Sequence, residues 1–251
     1  MNGEKIKQLT DILKRLNAGE NSAEIKQATK DFLQTIDPAE LSAAEQKLID
    51  AGLAPEDLRH LCSAHLELLD DNLGQMKSAL EPGHVIDTLI KEHEIILDFL
   101  DKLEKTNQKI QKMRSHKDNQ EEFELLKNIA GHLTAAEPHH QREERVLFPE
   151  LEKRGVSGPT QVMVMEHEDL RRYKEELEKL TGEISKIDFN DFKKKLDTVA
   201  EFIIMILRDH IFKENNILYP TAIEVIKENK IWKRMKDDCD KIGYCCFTPQ
   251  Q

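Results

Sequence analysis

The sequence has little of what membrane proteins, disulfide-stabilised proteins and nucleic-acid-binding proteins require. No stretch approaches the roughly 18 to 20 consecutive apolar residues that cross a bilayer, and no apolar signal core follows the charged N-terminus. The four cysteines are too few and too unevenly placed for a disulfide framework in 251 residues. A concentrated basic surface is also missing, because the net charge is -11 and Lys193–Lys195 is an isolated basic run. We therefore expect a cytoplasmic protein with reduced thiols that binds neither membranes nor nucleic acid.

The residues that dominate the chain are helix formers. Glu, Lys, Leu, Ile and Ala are abundant, whereas there are only 10 glycines and three tyrosines. Apolar residues recur at spacings of three and four along most of the sequence, with almost no strand-like alternation. This periodicity predicts an all-α protein.

The positions of proline and glycine divide the chain into parts. Pro38 and Pro55 fall where short helices would begin, so residues 1–80 are predicted to form a small N-terminal helical domain. Glu81-Pro82-Gly83 then marks a domain boundary. Residues 84–228 are predicted to form a larger helical domain, and residues 229–251 a C-terminal tail.

Four long amphipathic helices are predicted in the larger domain. They are helix A over 84–113, helix B over 119–153, helix C over 158–181 and helix D over 188–228. Short polar joints between long helices indicate antiparallel neighbours, and hence an up-and-down four-helix bundle. Pro138 removes one backbone hydrogen bond from helix B, so that helix is predicted to kink or to restart at His139.

A repeat in helices B and D carries the chemistry. His139 and Glu143 stand four residues apart in helix B, and His210 and Glu214 stand four residues apart in helix D; each pair is followed by a Leu-aromatic-Pro string. The spacing stacks an imidazole and a carboxylate on one helix face, about one turn apart. Two such pairs facing each other across a bundle would supply four ligands, and carboxylates can bridge two metal ions.

The other two helices each add one histidine beside glutamate. His93 lies in Lys91-Glu92-His93-Glu94 of helix A, and His167 lies in Met165-Glu166-His167-Glu168 of helix C. Every helix of the predicted bundle therefore carries a histidine, which indicates a buried metal site. Imidazole and carboxylate ligands suit iron, manganese or zinc.

Residues 84–228 resemble the hemerythrin-like HHE cation-binding domains. The resemblance rests on the four histidines, on Glu143 and Glu214, and on the strings Glu-Glu-x-Val-Leu-Phe-Pro and Asn-x-Ile-Leu-Tyr-Pro. It implies a four-helix bundle with two iron ions, rather than manganese or zinc. It also implies that His93, His139, His167 and His210 are terminal ligands and that Glu143 and Glu214 bridge the metals. Residues 1–80 look like a bacterial domain of uncharacterised function that often precedes such bundles.

The family pattern usually has a fifth histidine, and this chain departs from it. One turn from His167 along helix C stand Met163 and Arg171. His84, His140 or His116 could supply the missing ligand, or water could leave an open position. The sequence also permits a competing register, in which His140 and Glu144 replace His139 and Glu143.

Two functions share this predicted site. In the first, a di-iron centre binds dioxygen or nitric oxide for sensing or storage, with a possible protein partner that contacts the N-terminal domain. In the second, the same irons reduce peroxide or nitric oxide, or are donated to damaged iron–sulfur centres. No G-x-G-x-x-G nucleotide fingerprint is present, so electrons for an enzyme would come from outside. We favour the binding function, because the histidine-rich ligand set is evidence of binding and is not by itself evidence of catalysis.

Overall fold

The computed structural model describes residues 80–249, together with Lys7, Gln8 and Lys47. Every regular element in that part of the chain is helical, which confirms the predicted all-α class. The α-helices are α1 (Val85–Gln111), α2 (Gln120–Thr134), α3 (Glu137–Arg142), α4 (Phe148–Glu152), α5 (Gly158–Thr181), α6 (Phe189–Lys213), α7 (Tyr219–Val225) and α8 (Asn229–Ile242). Two π-helical turns interrupt the series, π1 at Glu143–Leu147 and π2 at Glu214–Leu218. The predicted helices of residues 1–80, and the Cys62–His65 pair among them, lie outside the described residues.

The long helices form the predicted bundle. Along the chain α1 packs on α2, α2 on α5 and α5 on α6, and α6 returns to pack on α1. Contacts between α1 and α6 run in opposite chain directions, since Asp101 pairs with Arg208 whereas Asn107 pairs with Asp197. The neighbours are therefore antiparallel.

Local capping explains where the long helices begin. The side chain of Asn119 accepts a hydrogen bond from the second residue of α2, and Asp188 does the same for α6. His84 caps α1 by accepting from the backbone N–H of Ile86, and Pro159 occupies the first turn of α5. Gly155, in the turn before α5, has a φ of 83°, a conformation that favours glycine.

Predicted helix B is broken into three helices and a π turn. The chain leaves the helix at Ala135 and Ala136 and resumes at Glu137, two residues before the predicted restart at His139. Pro138 then stands in the first turn of α3, where its missing N–H costs nothing.

Predicted helix D is also shorter than expected. It ends at Val225 rather than at residue 228, and a short link leads into α8. The segment predicted as a C-terminal tail thus contains a helix, which packs against α1, α3 and π1. No helix among the described residues is both long enough and apolar enough to cross a membrane.

The bundle core has two apolar layers with a buried polar layer between them. One layer lies toward the α4 and α8 end and includes Leu89, Leu147 and Leu218. The other fills the long part of the bundle and includes Ile96 and Leu207. His93, His139, His167 and His210 lie between these layers along their helices, and all four are at most 2% exposed. Polar and ionisable side chains that are buried to this extent need partners, so this polar layer is a candidate functional site.

Candidate metal centre

Six residues predicted as ligands converge in the polar layer. His93 comes from α1, His139 from α3, His167 from α5 and His210 from α6, while Glu143 and Glu214 are the first residues of π1 and π2. Both carboxylates are completely buried. The bundle thus brings together side chains from all four of the predicted helices A to D, which we call its arms.

Each carboxylate faces histidines from both halves of the bundle. Glu214 Oε2 lies 3.1 Å from His93 Nε2, and Glu214 Oε1 lies 3.0 Å from His210 Nε2. Glu143 Oε2 lies 3.5 Å from both His139 Nε2 and His167 Nε2. This is the arrangement that two carboxylates bridging a pair of metal ions require.

The clustered atoms fit metal ions in spacing and in chemistry. Three overlapping groups have ligand atoms within 4.8 Å of one another: His93, His139 and Glu214; His140, His167 and His210; and Glu143, His167 and Glu214. The Nε2 atoms of His167 and His210 are 2.9 Å apart. Two nitrogen ligands at right angles, each about 2.1 Å from an ion, would be about 3.0 Å apart.

Several ligand atoms have no other partner. Glu143 Oε2 and His139 Nε2 are buried without a hydrogen bond. Buried polar atoms in native proteins are nearly always satisfied, so orphaned atoms that face one another fit a bound cation.

Hydrogen bonds at Nδ1 fix the orientation of the four imidazoles. His139 Nδ1 is 2.7 Å from Glu92, and His210 Nδ1 is 2.8 Å from Glu166. In the same way, His167 Nδ1 is 2.7 Å from Glu144 and His93 Nδ1 is 2.8 Å from Asn215; these contacts are made across helices. With an acceptor at Nδ1, each ring directs its Nε2 to the centre, and the neutral form of such a ring is the tautomer that a metal requires.

The second layer of contacts repeats in the two halves. Arg142 and Lys213 occupy equivalent places three residues after His139 and His210. Arg142 Nη2 lies 2.5 Å from Glu92, and Lys213 Nζ lies 2.5 Å from Glu166. Each buried glutamate that accepts from a histidine is therefore held by a cation from the same arm as that histidine.

The two π turns lie directly before the aromatic-Pro ends of the repeats. Pro149 and Pro220 cannot donate to a helical ladder, and the preceding aromatic residues donate instead to Glu143 O and Glu214 O, five residues back. In each repeat the aromatic residue follows the histidine by nine positions. Nine positions are 2.5 turns of a regular α-helix, so the ring would lie on the opposite face from the histidine. The extra residue in the π turn brings the ring back toward the site.

These aromatic rings make the two halves unequal. The Tyr219 ring stacks on His93 at a centroid distance of 5.6 Å, and its hydroxyl donates to Glu143 Oε1 at 2.7 Å. The equivalent Phe148 ring stacks on His167 at 5.9 Å and has no hydroxyl. Of these two equivalent rings, Tyr219 alone carries a proton donor, and it lies on the His93 side.

The three candidates for the fifth histidine have different positions. His140 is 3% exposed, stacks on His167 at 3.9 Å and shares a possible metal group with His167 and His210. His84 lies outside the cluster, where it caps α1 and packs on Trp232. His116 contacts Phe189 and also belongs to none of the three groups. Of these three candidates, only His140 belongs to a group that could hold a metal, and His139 belongs to another such group.

Burial and the two carboxylates set the protonation of the centre. Burial and the charge of Glu214 raise the pKa of Glu143 well above its usual range, so in the absence of metal one carboxyl group keeps its proton. Burial lowers the pKa of His210, but the charges of Glu214 and Glu166 outweigh it and bring the pKa to about 9. Burial lowers the pKa of His139 to about 4. Metal ions would take the place of the proton on Glu143 and the proton on His210.

The sequence did not indicate the four residues that hydrogen-bond to the histidines at Nδ1. Glu92 and Glu166 each immediately precede a ligand histidine, and each bonds a different histidine instead. Glu144 and Asn215 immediately follow the bridging glutamates. The positions one residue before His93 and His167, and one residue after Glu143 and Glu214, could have been found in the sequence, although not their partners.

The C-terminal cysteines lie beside this second layer. Cys245 is 5% exposed, 4.0 Å from Arg142 Nη2, and burial raises its pKa to about 12. Cys246 is exposed and lies 3.5 Å from His132 Nδ1. Neither is in a disulfide.

Comparison with known families agrees with the geometry. Residues 84–222 match the model of the hemerythrin HHE cation binding domain. Residues 9–75 match a family of unknown function, DUF438. No curated protein sequence gave a match.

Proposed function

Because the chain belongs to the hemerythrin HHE cation-binding family, we propose that the buried centre holds two iron ions and binds dioxygen or nitric oxide. His93 and His139 would hold one ion, and His140, His167 and His210 the other. Glu143 and Glu214 would bridge them. Manganese and zinc accept the same ligand types, but reversible binding of these gases requires a metal such as iron that exchanges electrons with them.

One observation carries this proposal. Four histidines from four different arms are each tied at Nδ1, and their Nε2 atoms face two carboxylates that are completely buried. A structural role would be served more cheaply by apolar residues, because burying charged groups costs several kcal/mol per ion.

The protein surroundings suit a ligand that is small and uncharged on arrival. Ile96 and Leu207 belong to the apolar layer on one side of the centre, and Leu147 and Leu218 to the layer on the other. Bound iron supplies the affinity for the gas, while these side chains limit the access of water and stray protons. The unequal numbers of histidines leave the His93 side with fewer protein ligands, and hence with room for an exogenous one.

The Tyr219 hydroxyl favours a second candidate function. Reduction of peroxide or nitric oxide consumes protons, and this O–H group already donates to Glu143 beside the centre. An external reductant would supply the electrons. In the gas-binding function, a cytoplasmic sensor would pass its state to a protein partner through residues 1–80.

Metal content tests the site, and gas binding tests the function. Elemental analysis of protein loaded with iron under exclusion of oxygen should give close to two irons per chain. Admitting air or nitric oxide should produce new visible bands that reverse when the gas is removed. Irreversible bleaching or release of iron would instead support the redox or iron-donor function.

A double substitution tests the ligand assignment. His210→Ala with Glu214→Ala removes a terminal ligand and a bridge, so at least one metal position should be empty. His116→Ala, which removes a histidine far from the centre, should retain both metals. Retention of two metals by the double variant would contradict the assignment.

A further inference from the structure

An approximate repeat relates the two halves of the bundle. Helix B aligns with helix D at His139 and His210, and helix A aligns with helix C at His93 and His167. The side chains that hold the four imidazoles from behind can therefore be compared position by position.

Three of the four imidazoles are hydrogen-bonded at Nδ1 to a carboxylate, and each of these carboxylates is paired with a cation. The pairs are Glu92 with Arg142, Glu166 with Lys213 and Glu144 with Arg171. The fourth imidazole differs, because His93 Nδ1 lies 2.8 Å from the side-chain amide oxygen of Asn215. Among the four histidines, His93 is thus the one whose ring faces a neutral acceptor.

Asn215 occupies the position that corresponds to Glu144. Each of these two residues immediately follows a bridging glutamate, and each contacts a histidine of another helix. The cation is replaced as well: Arg171 binds Glu144 at 2.8 Å, and its counterpart four residues after His93 is Leu97. A carboxylate and its cation are therefore replaced together by two neutral residues, which leaves no unpaired charge in this part of the interior.

The neutral acceptor makes His93 a weaker metal ligand than the other three histidines. A carboxylate that accepts from Nδ1 raises the basicity of the ring and so strengthens the bond from Nε2 to a metal. An amide oxygen carries no net charge, and its hydrogen bond to the ring is weaker. The two metal positions should therefore differ in affinity for a reason beyond their numbers of histidines.

We propose that Asn215 makes the metal position at His93 the weaker and more exchangeable of the two. This inference rests on the proposed two-iron centre and adds a positioning residue to it, since Asn215 acts on the metal through His93. The Tyr219 hydroxyl lies on the same side, 3.5 Å from His93 Nε2. A weakly held ion beside a proton donor suits the uptake of an exogenous ligand, while the ion at His167 stays bound.

Iron(II) binding to the metal-free full chain, with oxygen excluded, tests the proposal without any gas. Competition with a chelator gives the dissociation constants of the two successive steps, in the natural protein and in the double variant Leu97→Arg with Asn215→Asp. This variant restores the charged pair and adds no net charge. Its weaker step should tighten about tenfold or more, because hydrogen-bond partners of metal ligands typically change metal affinity about 10- to 100-fold.

Three single substitutions serve as controls. Glu144→Gln makes the reverse change behind His167 and should weaken the tighter step about tenfold. Leu97→Arg alone adds only a cation and should tighten neither step. Asn215→Asp alone should also tighten the weaker step, and it takes the place of the double variant if that variant does not fold.

The outcomes separate the role of Asn215 from the iron centre itself. A weaker step that is unchanged or weakened further when Asn215 is replaced by aspartate would overturn the role of Asn215 while leaving the centre intact. Tightening by Leu97→Arg alone would also overturn it, since the acceptor at His93 would then be irrelevant. Fewer than two irons bound by the natural protein would instead refute the proposed function. Damaged packing weakens metal binding, so a gain in affinity distinguishes the proposed role from a merely structural one.

Discussion

Replacing Glu92 with glutamine should destabilise the metal-free protein by an amount that can be worked out from its contacts. Glu92 accepts from His139 Nδ1 at 2.7 Å, from Arg142 Nη2 at 2.5 Å and from the Thr248 hydroxyl. Glutamine keeps the shape but loses the charge, so the guanidinium of Arg142, which is 1% exposed, would be left without its carboxylate. Breaking a buried pair in this way typically costs about 3 to 5 kcal/mol.

The pKa of Glu92 yields a similar magnitude and a direction with pH. Burial raises this pKa, but His139, Arg142 and Thr248 outweigh it and lower it from 4.5 to about 2. A difference of about 2.5 pH units corresponds to about 3.4 kcal/mol. Because the folded-state pKa lies below the unfolded one, this stability is present above pH 4.5 and is lost as the pH falls through about 2. At pH 3 about 1.4 kcal/mol would remain.

Urea unfolding of metal-free protein measures this effect. Glu92→Gln should lower the free energy of unfolding by about 3 kcal/mol at pH 7, and the gap to the natural protein should narrow at pH 3. Glu124→Gln, at an exposed position of α2, should change it by less than about 0.5 kcal/mol at either pH. A gap below about 1 kcal/mol at pH 7, or one that stays constant down to pH 3, would refute the reasoning.

Three further substitutions test the assignment of the fifth ligand and the role of Tyr219. His140→Ala should weaken metal binding at one of the two positions about tenfold or more, as measured by competition with a chelator, because a ligand is lost. His84→Ala should leave both metals in place and cost about 1 kcal/mol of thermal stability as a lost helix cap; the reverse ranking would show that the fifth ligand is misassigned. Tyr219→Phe should preserve nitric oxide affinity within about threefold but slow any peroxide reduction about tenfold or more, followed by peroxide consumption. Unchanged peroxide consumption would exclude the Tyr219 hydroxyl as the proton donor.

Much of the fold and half of the site could be predicted without coordinates. Helix formation and the pairing of His139 with Glu143, or of His210 with Glu214, depend on spacings of three and four residues within one helix. Interactions of that range are local, so the printed sequence contains all the information they need. The two π turns lie within the repeated strings that the alignment matched, but the sequence did not predict them.

The contacts between helices required the tertiary structure. A helical pattern assigns a residue to a face, but not to a partner 40 or 120 positions away. Glu92 thus binds His139 rather than its neighbour His93, which binds Asn215. Register and rotation between helices depend on packing over their whole length, and sequence spacing within one helix does not specify them.

The sequence by itself determined the helical class, the two His-x-x-x-Glu pairs and the presence of a histidine in every arm. Only the tertiary structure decided that His140 lies beside His167 and His210 whereas His84 lies at the start of α1 against Trp232, because packing between helices sets which residues meet. It also decided that Lys174 is buried, at 4% exposure. Burial is a property of the assembled bundle, since the residues that cover a side chain come from other parts of the chain.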